Sequence, residues 1–320
     1  MNLWWTFFFR EPMTSMARIA LLLLPLAATS LMACNSAKGE DSPTDDSPPN
    51  VSSLASRPLI SVVFMHPVGM VITTKYRQPL MDHLTANSPY LFRSLFSTQS
   101  ERNVGMLEWR FATASHLGVV SYLEANSQFG AIPLARALNR DGEPVSYCVF
   151  VVREDSPIQS LSDLEGRSLA LGSFHSTLSN LIARHELIEA GVRLEAIGSI
   201  EHLENDEAVA YSVSEGRFDV GAVADLVASR YEDKGLRALH ISKPVPSSPL
   251  VVREDLPRRV SVAMQDALLK LDFAGATDRE HWDEDIRYGF ALATDDDYEP
   301  IREIMKTSPT GCEGSCHGSP

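Results

Sequence analysis

The sequence predicts an α/β protein of two lobes with a cleft between them. Short apolar runs of strand length, such as residues 59–65 and 149–152, alternate along the chain with stretches of helical spacing. Strands that alternate with helices are typical of layered α/β folds. The chain is expected to cross between the lobes twice, in the strand that follows Gly142 and in the proline-rich segment 244–249.

Each element is predicted from its apolar pattern and its stop signals. Gly166 closes a short helical turn at 162–166. Gly191 ends the helix predicted at 178–190. Strands are expected at residues 59–65, 91–98, 149–152, 168–171, 196–200, 219–223 and 239–242. Helices are expected at residues 76–85, 102–110, 178–190, 258–271, 278–290 and 297–305.

The composition excludes some classes of function. The 320 residues are 44% apolar, enough for one large domain or two ordinary ones, and the net charge is −14. So acidic a chain is unsuited to bind nucleic acid or anionic lipid by charge alone. Local N–H and O–H donors still allow it to bind a small anion. No phosphate loop, dinucleotide fingerprint, serine elbow or HExxH motif occurs, so we expect no enzyme activity.

The N-terminal segment is predicted to be a secretion signal. Arg18 supplies a positive charge, and an apolar run at 19–24 follows that is shorter than the roughly 20 residues of a membrane-spanning helix. Translation is expected to begin at Met16 or Met13. Residues 31–34, Leu-Met-Ala-Cys, resemble the lipobox of bacterial lipoproteins. This resemblance implies that residues 1–33 are removed and that Cys34 is lipidated.

Residues 34–57 are expected to form a lipidated, disordered tether. The segment is rich in Ser, Pro and Asp and has few apolar residues, so it has too little apolar surface to fold.

A hydroxyl-rich loop precedes the helix predicted at 178–190. The loop 172–177 follows the strand at 168–171 and ends in Ser176 and Thr177. A helix start that combines free backbone N–H groups with hydroxyl side chains is suited to bind an anion. The alternative is that Ser176 or Thr177 only caps the helix.

Four segments together resemble one protein family. They are SYCVFVVREDSPIQSLSDLEGRSLALGSFHSTLSN at 146–180, EGRFDVGAVAD at 215–225, SKPVPSSPLVVREDLP at 242–257 and DDDYEPIREIM at 295–305. Their order and separation resemble the phosphate/phosphite/phosphonate-binding proteins of ABC importers, a branch of the type 2 periplasmic binding proteins. The resemblance covers about residues 59–305. It implies the two-lobed type 2 fold with a ligand cleft, with lobe 1 at 58–153 plus 245–306 and lobe 2 at 154–244.

The resemblance implies that Ser176, Thr177 and Ser179 hold the oxyanion. The family has a Ser-Thr-Ser-Gly run here, so Leu178 stands in place of its second serine and Ser179 in place of its glycine. One hydroxyl donor is therefore lost or displaced.

In the other lobe, the resemblance implies two further contacts. Ser100, or alternatively Thr98, stands where relatives have an aromatic or hydroxyl residue that reaches the ligand. His116 lies in the segment 111–125, which is similar to the family's strand, cleft loop and helix. Tyr122, on that helix, either reaches the cleft or packs in the core.

The chain departs from the family at Asp206, where relatives often carry a histidine. His202 comes four residues too early to replace it unless the loop differs. Asp225 lies where some relatives hold a ligand amino group, and alternatively caps the next helix. Ser248, beside Ser247, stands where an acid occurs in some relatives, and this favours a ligand without an ammonium group.

The cysteines leave alternatives open. Cys148 is expected to be a buried free thiol. Cys312, Cys316 and His317, in the tail 307–320, form a motif one residue longer than the CxxCH haem-attachment motif. A small disulfide, a metal site and covalent haem c are alternatives for this tail, and no other cofactor or metal is expected.

The function expected from these features is capture of a small oxyanion outside the cytoplasm. A lipid-anchored monomer at the periplasmic or extracytoplasmic face of the membrane would deliver a phosphonate, phosphite or phosphate-like ligand to an ABC permease. The alternatives are an extracytoplasmic ligand sensor, or a redox or metal-handling protein that uses the tail.

Overall fold

Two β-sheets organise the chain. The computed structural model describes residues 57–65, 70–97 and 100–308. The strands are β1 Leu59–Met65, β2 Leu91–Ser97, β3 Ala114–His116, β4 Ala131–Ala137, β5 Val145–Ser146, β6 Cys148–Arg153, β7 Ser168–Leu171, β8 Ser199–His202, β9 Val220–Ala224, β10 Leu236–Ile241, β11 Val245–Pro246, β12 Pro249–Arg253 and β13 Phe290–Leu292. The α-helices are α1 Met70–Ala86, α2 Ser100–Glu108, α3 Val119–Phe129, α4 Ala183–Glu189, α5 Asp206–Ser214, α6 Asp225–Tyr231, α7 Arg258–Leu269 and α8 Glu299–Thr307.

The first lobe is built on a six-stranded sheet in the order β13-β4-β12-β3-β1-β2. Strand β1 is parallel to β2 and β3, whereas β12, which returns from the second lobe, is antiparallel to β3 and β4. Side chains of α1 and α7 pack on this sheet, and the core includes the buried residues Val62, Phe64, Leu80, Met81, Leu250, Met264 and Leu268.

The second lobe is built on a five-stranded sheet in the order β10-β6-β9-β7-β8. Strand β6 is buried along Cys148–Val152, as a continuous apolar run predicts for a central strand. Another core cluster joins the lobes, because it contains residues of both sheets, of α3 and of α8, among them Val251, Phe150, Tyr122 and Tyr298.

Two neighbouring segments connect the lobes. The chain leaves the first sheet after β4 and returns to it at β12, and in between β5 pairs with β11 in a short antiparallel ladder. The Ser247 N–H donates to the Pro144 carbonyl, 3.1 Å away. Because β6 already belongs to the second sheet, the first crossing precedes Cys148 and does not fall at the expected boundary after Arg153.

The prediction of a helix at 278–290 is wrong. The segment holds a short 3₁₀ turn, Ala276–Arg279, and then reaches β13 without a further helix. The spacing of four residues between Trp282, Ile286 and Phe290 is typical of one face of a helix, and it favoured the prediction. Gly289 has φ 98°, and an added Cβ would lie 2.1 Å from the Leu271 carbonyl oxygen, so the backbone here is left-handed and tightly packed.

Other elements differ from the predictions in type or in where they begin. Helix α1 begins at Met70, six residues before the predicted start, and β10 begins at Leu236, three residues before it. The helix predicted at 178–190 is a π-helix, Thr177–Ile182, that continues into α4. The strand predicted at 196–200 begins later, at Ser199, after a 3₁₀ turn at Leu194–Ala196. None of the helices in the described ranges has the length and apolar content needed to cross a membrane.

Candidate ligand-binding cleft

The loop after β7 carries hydroxyl side chains to the start of the π-helix. Ser176 precedes the first helical residue, and its Oγ accepts a hydrogen bond from the Ser179 N–H at 3.2 Å. The Leu181 N–H donates to the Ser176 carbonyl at 3.2 Å, a bond over five residues that defines a π turn. Such turns occur frequently at functional sites.

Ser176, Ser179 and Asp206 form a row of side chains that we call the hydroxyl chain. The Oγ atoms of Ser176 and Ser179 are 2.6 Å apart. The Ser179 hydroxyl, which is fully buried, donates to Asp206 Oδ1 at 2.6 Å. The predicted candidates Ser176, Ser179 and Asp206 therefore lie together, although Asp206 is 27 residues from Ser179 in sequence.

Asp206 is held at the start of α5. Asn205 caps this helix by accepting from the Ala208 N–H, and Asp206 is its first residue. The second carboxylate oxygen of Asp206 accepts from the Ala224 N–H at 2.8 Å. Burial raises the pKa of Asp206, against the hydrogen bonds from Ser179 and Ala224, which lower it.

Thr177 joins the second lobe to the first. Its Oγ1 accepts from the Val120 N–H at 3.0 Å, in the first turn of α3. Gly118 caps α3 without a side-chain hydrogen bond, and a Cβ added to it would lie 3.5 Å from Thr177 Oγ1. The start of α3 and the start of the π-helix therefore meet at Thr177, and both carry the partial positive charge of a helix N-terminus.

His202 packs against the loop 172–177. Its Nδ1 lies 2.7 Å from the Gly172 carbonyl oxygen, and its Nε2 lies 3.1 Å from Arg184 Nη2. The ring stacks on Phe174 with centroids 3.8 Å apart. Burial lowers the pKa of His202, which favours the neutral ring. His202 is thus a packing partner of the loop and does not take the place of Asp206.

His116, at the end of β3, is held neutral. Burial, followed by the nearby charge of Arg77, lowers the pKa of His116 to about 4. The Ser248 backbone and Asp283 oppose this lowering. His116 Nε2 is buried and has no hydrogen-bond partner among the described residues.

The remaining candidates are placed as follows. The backbone of Ser248 lies beside the His116 ring. The hydroxyl of Ser247 is directed away, to the Ala137 carbonyl. Tyr122 packs in the core and donates to Asp295 at 2.5 Å. Ser100 is the first residue of α2.

Several predicted features lie outside the described residues. They are Thr98, the lipidation site Cys34, and the tail residues Cys312, Cys316 and His317. Cys148 is a buried free thiol, and burial raises its pKa. Within the described ranges, no group of three or more His, Cys, Asp or Glu side chains is arranged to hold a metal.

Sequence reasoning missed two residues of this region. Gly172 must be a glycine, because an added Cβ would lie 2.1 Å from Ser179 Oγ. A glycine directly after a buried strand was the available signal. Arg77 is fully buried, with Nε 2.8 Å from Asp283 Oδ2 and the guanidinium 4.4 Å from the Phe64 ring centre. No local pattern reveals a pair 206 residues apart in sequence.

Two lobes joined by paired crossings, with helix starts meeting between them, define a solute-binding protein of the type 2 class. The family model described as the periplasmic substrate-binding protein of phosphonate ABC transporters matches residues 71–298. The chain belongs to this family, as the sequence resemblance implied. Members are substrate-binding transport proteins of the periplasm, not enzymes.

Solved structures share the fold. A binding-protein component of an ABC phosphonate transporter from Pseudomonas aeruginosa is 18% identical, with TM-score 0.67, over 78% of this chain and 86% of that one. A Prochlorococcus marinus protein in complex with methylphosphonate is 19% identical, with TM-score 0.66, over 78% and 97%. A Xanthomonas citri protein bound to chloride ion is 20% identical, with TM-score 0.62, over 78% and 96%. The predicted type 2 periplasmic-binding-protein fold is confirmed.

Proposed function

We propose that this protein is a lipid-anchored monomer that captures a phosphonate, phosphite or phosphate-like oxyanion and delivers it to an ABC permease. One observation carries the proposal: the start of α3 in one lobe and the start of the π-helix in the other meet at Thr177, through the 3.0 Å hydrogen bond from the Val120 N–H. The other N–H groups of the two first turns are suited to hold an oxyanion, since only those of Val120 and Ser179 donate to Thr177 and Ser176, and Ser176 stands beside them.

The ligand contacts that we propose come from both lobes. Thr177, Ser176 and Ser179 lie at the π-helix, with Asp206 behind them. His116 and Ser248, which contact each other, lie in the first lobe with Ser100. Closure of the lobes would place the oxyanion between these groups and present a closed shape to the permease.

A thermal-shift screen of the full-length protein tests the proposal. The ligands are phosphate, phosphite, methylphosphonate, aminoethylphosphonate and sulfate. A ligand that binds only the folded state at a hundredfold excess over Kd stabilises it by about 2.7 kcal/mol. We expect a shift with at least one phosphorus oxyanion. No shift with any of them, together with a haem or metal spectrum, would favour the tail-based alternative.

A double variant locates the site. Ser176→Ala with Thr177→Ala should weaken oxyanion binding by about tenfold or more, because at least one hydrogen bond to a charged group is lost. Ser261→Ala is the matched control, since this hydroxyl on α7 donates within its own helix, to the Arg258 carbonyl. Unchanged affinity in the double variant would exclude this position as the ligand site.

A further inference from the structure

The hydrogens of the hydroxyl chain have a defined direction. Both carboxylate oxygens of Asp206 accept hydrogen bonds, Oδ1 from the Ser179 hydroxyl and Oδ2 from the Ala224 N–H, so Ser179 gives its single hydroxyl proton to Asp206. Ser179 Oγ must then accept from Ser176 Oγ, 2.6 Å away. Ser176 Oγ also accepts from the Ser179 N–H. Both hydroxyl protons are therefore used inside the chain, and Ser176 has only a lone pair left for a ligand.

The charges around Asp206 also favour a ligand that carries a proton. In the described part of the chain, no Lys or Arg forms an ion pair with Asp206. The titratable and charged groups on the surrounding elements include Glu207 on α5, Asp225 and Arg230 on α6, Arg184 and Glu186 on α4, the Cys148 thiol on β6 and the neutral His202. Arg230 is paired with Glu207 and Glu284, and Arg184 contacts Asn180 and His202. Because neither cation pairs with Asp206, its carboxylate opposes a second negative charge on a ligand.

The first lobe contributes another buried polar atom without a partner among the described residues. His116 Nε2 is buried without a partner among the described residues, and burial keeps the ring neutral. His116 is two residues before Gly118, which lies against Thr177. A buried polar atom without a partner is costly, and a ligand that carries both a hydroxyl and bare oxygens would satisfy it.

We propose that the cleft selects the singly protonated, monoanionic form of its oxyanion, whose P–OH group donates into the Ser176–Ser179–Asp206 chain. The other oxygens of the ligand would take the N–H groups at the two helix starts. Asp206 is then the residue that determines specificity, although it acts through the two serines. This inference rests on the proposed function and names the ligand form that the same site takes.

The test compares two ligands of similar shape and equal charge. Methylphosphonate monoanion carries a proton, whereas methanesulfonate carries the same single charge and none. Calorimetry with the full-length protein at pH 6 should show at least about a hundredfold preference for methylphosphonate, because methanesulfonate leaves buried acceptors unpaired. Above the second ionisation of the phosphonate, its affinity should fall about tenfold for each pH unit.

Asp206→Asn tests the role of the carboxylate. The amide can donate a hydrogen bond where the carboxylate only accepts, so the preference should fall below about tenfold and the pH dependence should flatten. Asp219→Asn is the matched control. It removes a carboxylate that accepts from Ser168 at the opposite end of β9, and it should behave as the wild type.

The possible results distinguish a failure of this inference from a failure of the proposed function. Tight methylphosphonate binding with equal methanesulfonate binding, or with no pH dependence, would overturn the inference and leave the proposed function standing. An unchanged preference in Asp206→Asn would overturn the role of this residue. Binding of neither ligand, nor of phosphite, at any pH would overturn the proposed function and the inference together. The wild-type comparison needs no variant, so it decides even where Asp206→Asn fails to fold.

Discussion

Arg230 of the second lobe contacts Glu284 of the first, with Nε 3.4 Å from Oε2. Arg230 lies on α6 and also contacts Glu207 on α5, at 2.5 Å. Glu284 belongs to the segment before β13 of the first sheet. The pair therefore connects the lobes at a point remote in sequence from the crossings, and it exists only while the lobes are this close.

Removal of this pair should weaken ligand binding slightly. Glu284→Gln leaves Arg230 its contact with Glu207 but removes attraction between the lobes, so the closed form loses stability. Because both side chains are partly exposed, at 41% and 31%, the pair contributes about 0.2–1 kcal/mol, and affinity should fall up to about fivefold. Calorimetry at low and high salt checks this, since screening should remove the difference.

Asp155→Asn is the control for this variant. Asp155 forms an exposed pair with Arg153 inside the second lobe, at 2.5 Å, so its loss should leave affinity unchanged. If Glu284→Gln binds as tightly as the wild type at low salt, the contact between the lobes has no part in closure.

Gly172→Ala should disrupt the hydroxyl chain. The added Cβ would lie 2.1 Å from Ser179 Oγ and 2.8 Å from Asp206 Oδ1, so Ser179 must move. We expect more than tenfold weaker oxyanion binding, and a loss of about 1–3 kcal/mol in the free energy of unfolding, as for other overpacked sites. Calorimetry and urea denaturation measure the two effects.

Gly105→Ala is the control for Gly172→Ala. Gly105 lies within α2, and its added Cβ would come no closer than 3.8 Å to Trp109. This variant should keep full affinity and gain about 0.5–1 kcal/mol from helix propensity. Normal binding by Gly172→Ala would mean that the geometry of Ser179 is not needed.

Much of the fold was predictable because its signals are local. The buried strand β6 is a continuous apolar run, and the loop before the π-helix is marked by Ser176 and Thr177. The helix predicted at 278–290 failed because the spacing of Trp282, Ile286 and Phe290 satisfies a helix, whereas the contact of Gly289 with Leu271 is visible only in the folded chain.

The site was predictable as a set of residues but not as a network. The resemblance indicated Ser176, Ser179 and Asp206 separately. Their connection depends on the π turn, which no hydroxyl pattern predicts, and on the Ala224 N–H that fixes the Asp206 carboxylate. The direction of the hydroxyl protons follows only from those distances.

Cys34→Ala should release the protein from membranes. If Cys34 is lipidated, each buried methylene of its acyl chains contributes about 0.8 kcal/mol to membrane binding, and alanine cannot be acylated. Fractionation of cells should then find the variant in the soluble periplasmic fraction and the wild type in the membrane. Cys312→Ala removes a cysteine from the tail and should remain membrane-bound. Membrane retention of Cys34→Ala would exclude lipid anchoring at this residue.

His116 should make the protein sensitive to acid. Burial lowers the pKa of His116 to about 4 in the folded protein, against about 6.5 in the unfolded chain. Between these values the unfolded state binds the extra proton, so the free energy of unfolding rises with pH and falls on acidification. From pH 7.5 to pH 5, this group alone should cost about 2 kcal/mol of stability.

Urea denaturation at these two pH values, with His116→Asn, measures the effect. Asparagine keeps a polar side chain at this position and does not titrate, so the loss between pH 7.5 and 5 should be about 2 kcal/mol smaller than in the wild type. His281→Asn replaces an exposed histidine and should leave the wild-type loss unchanged. Equal losses in His116→Asn and the wild type would show that His116 is not held neutral.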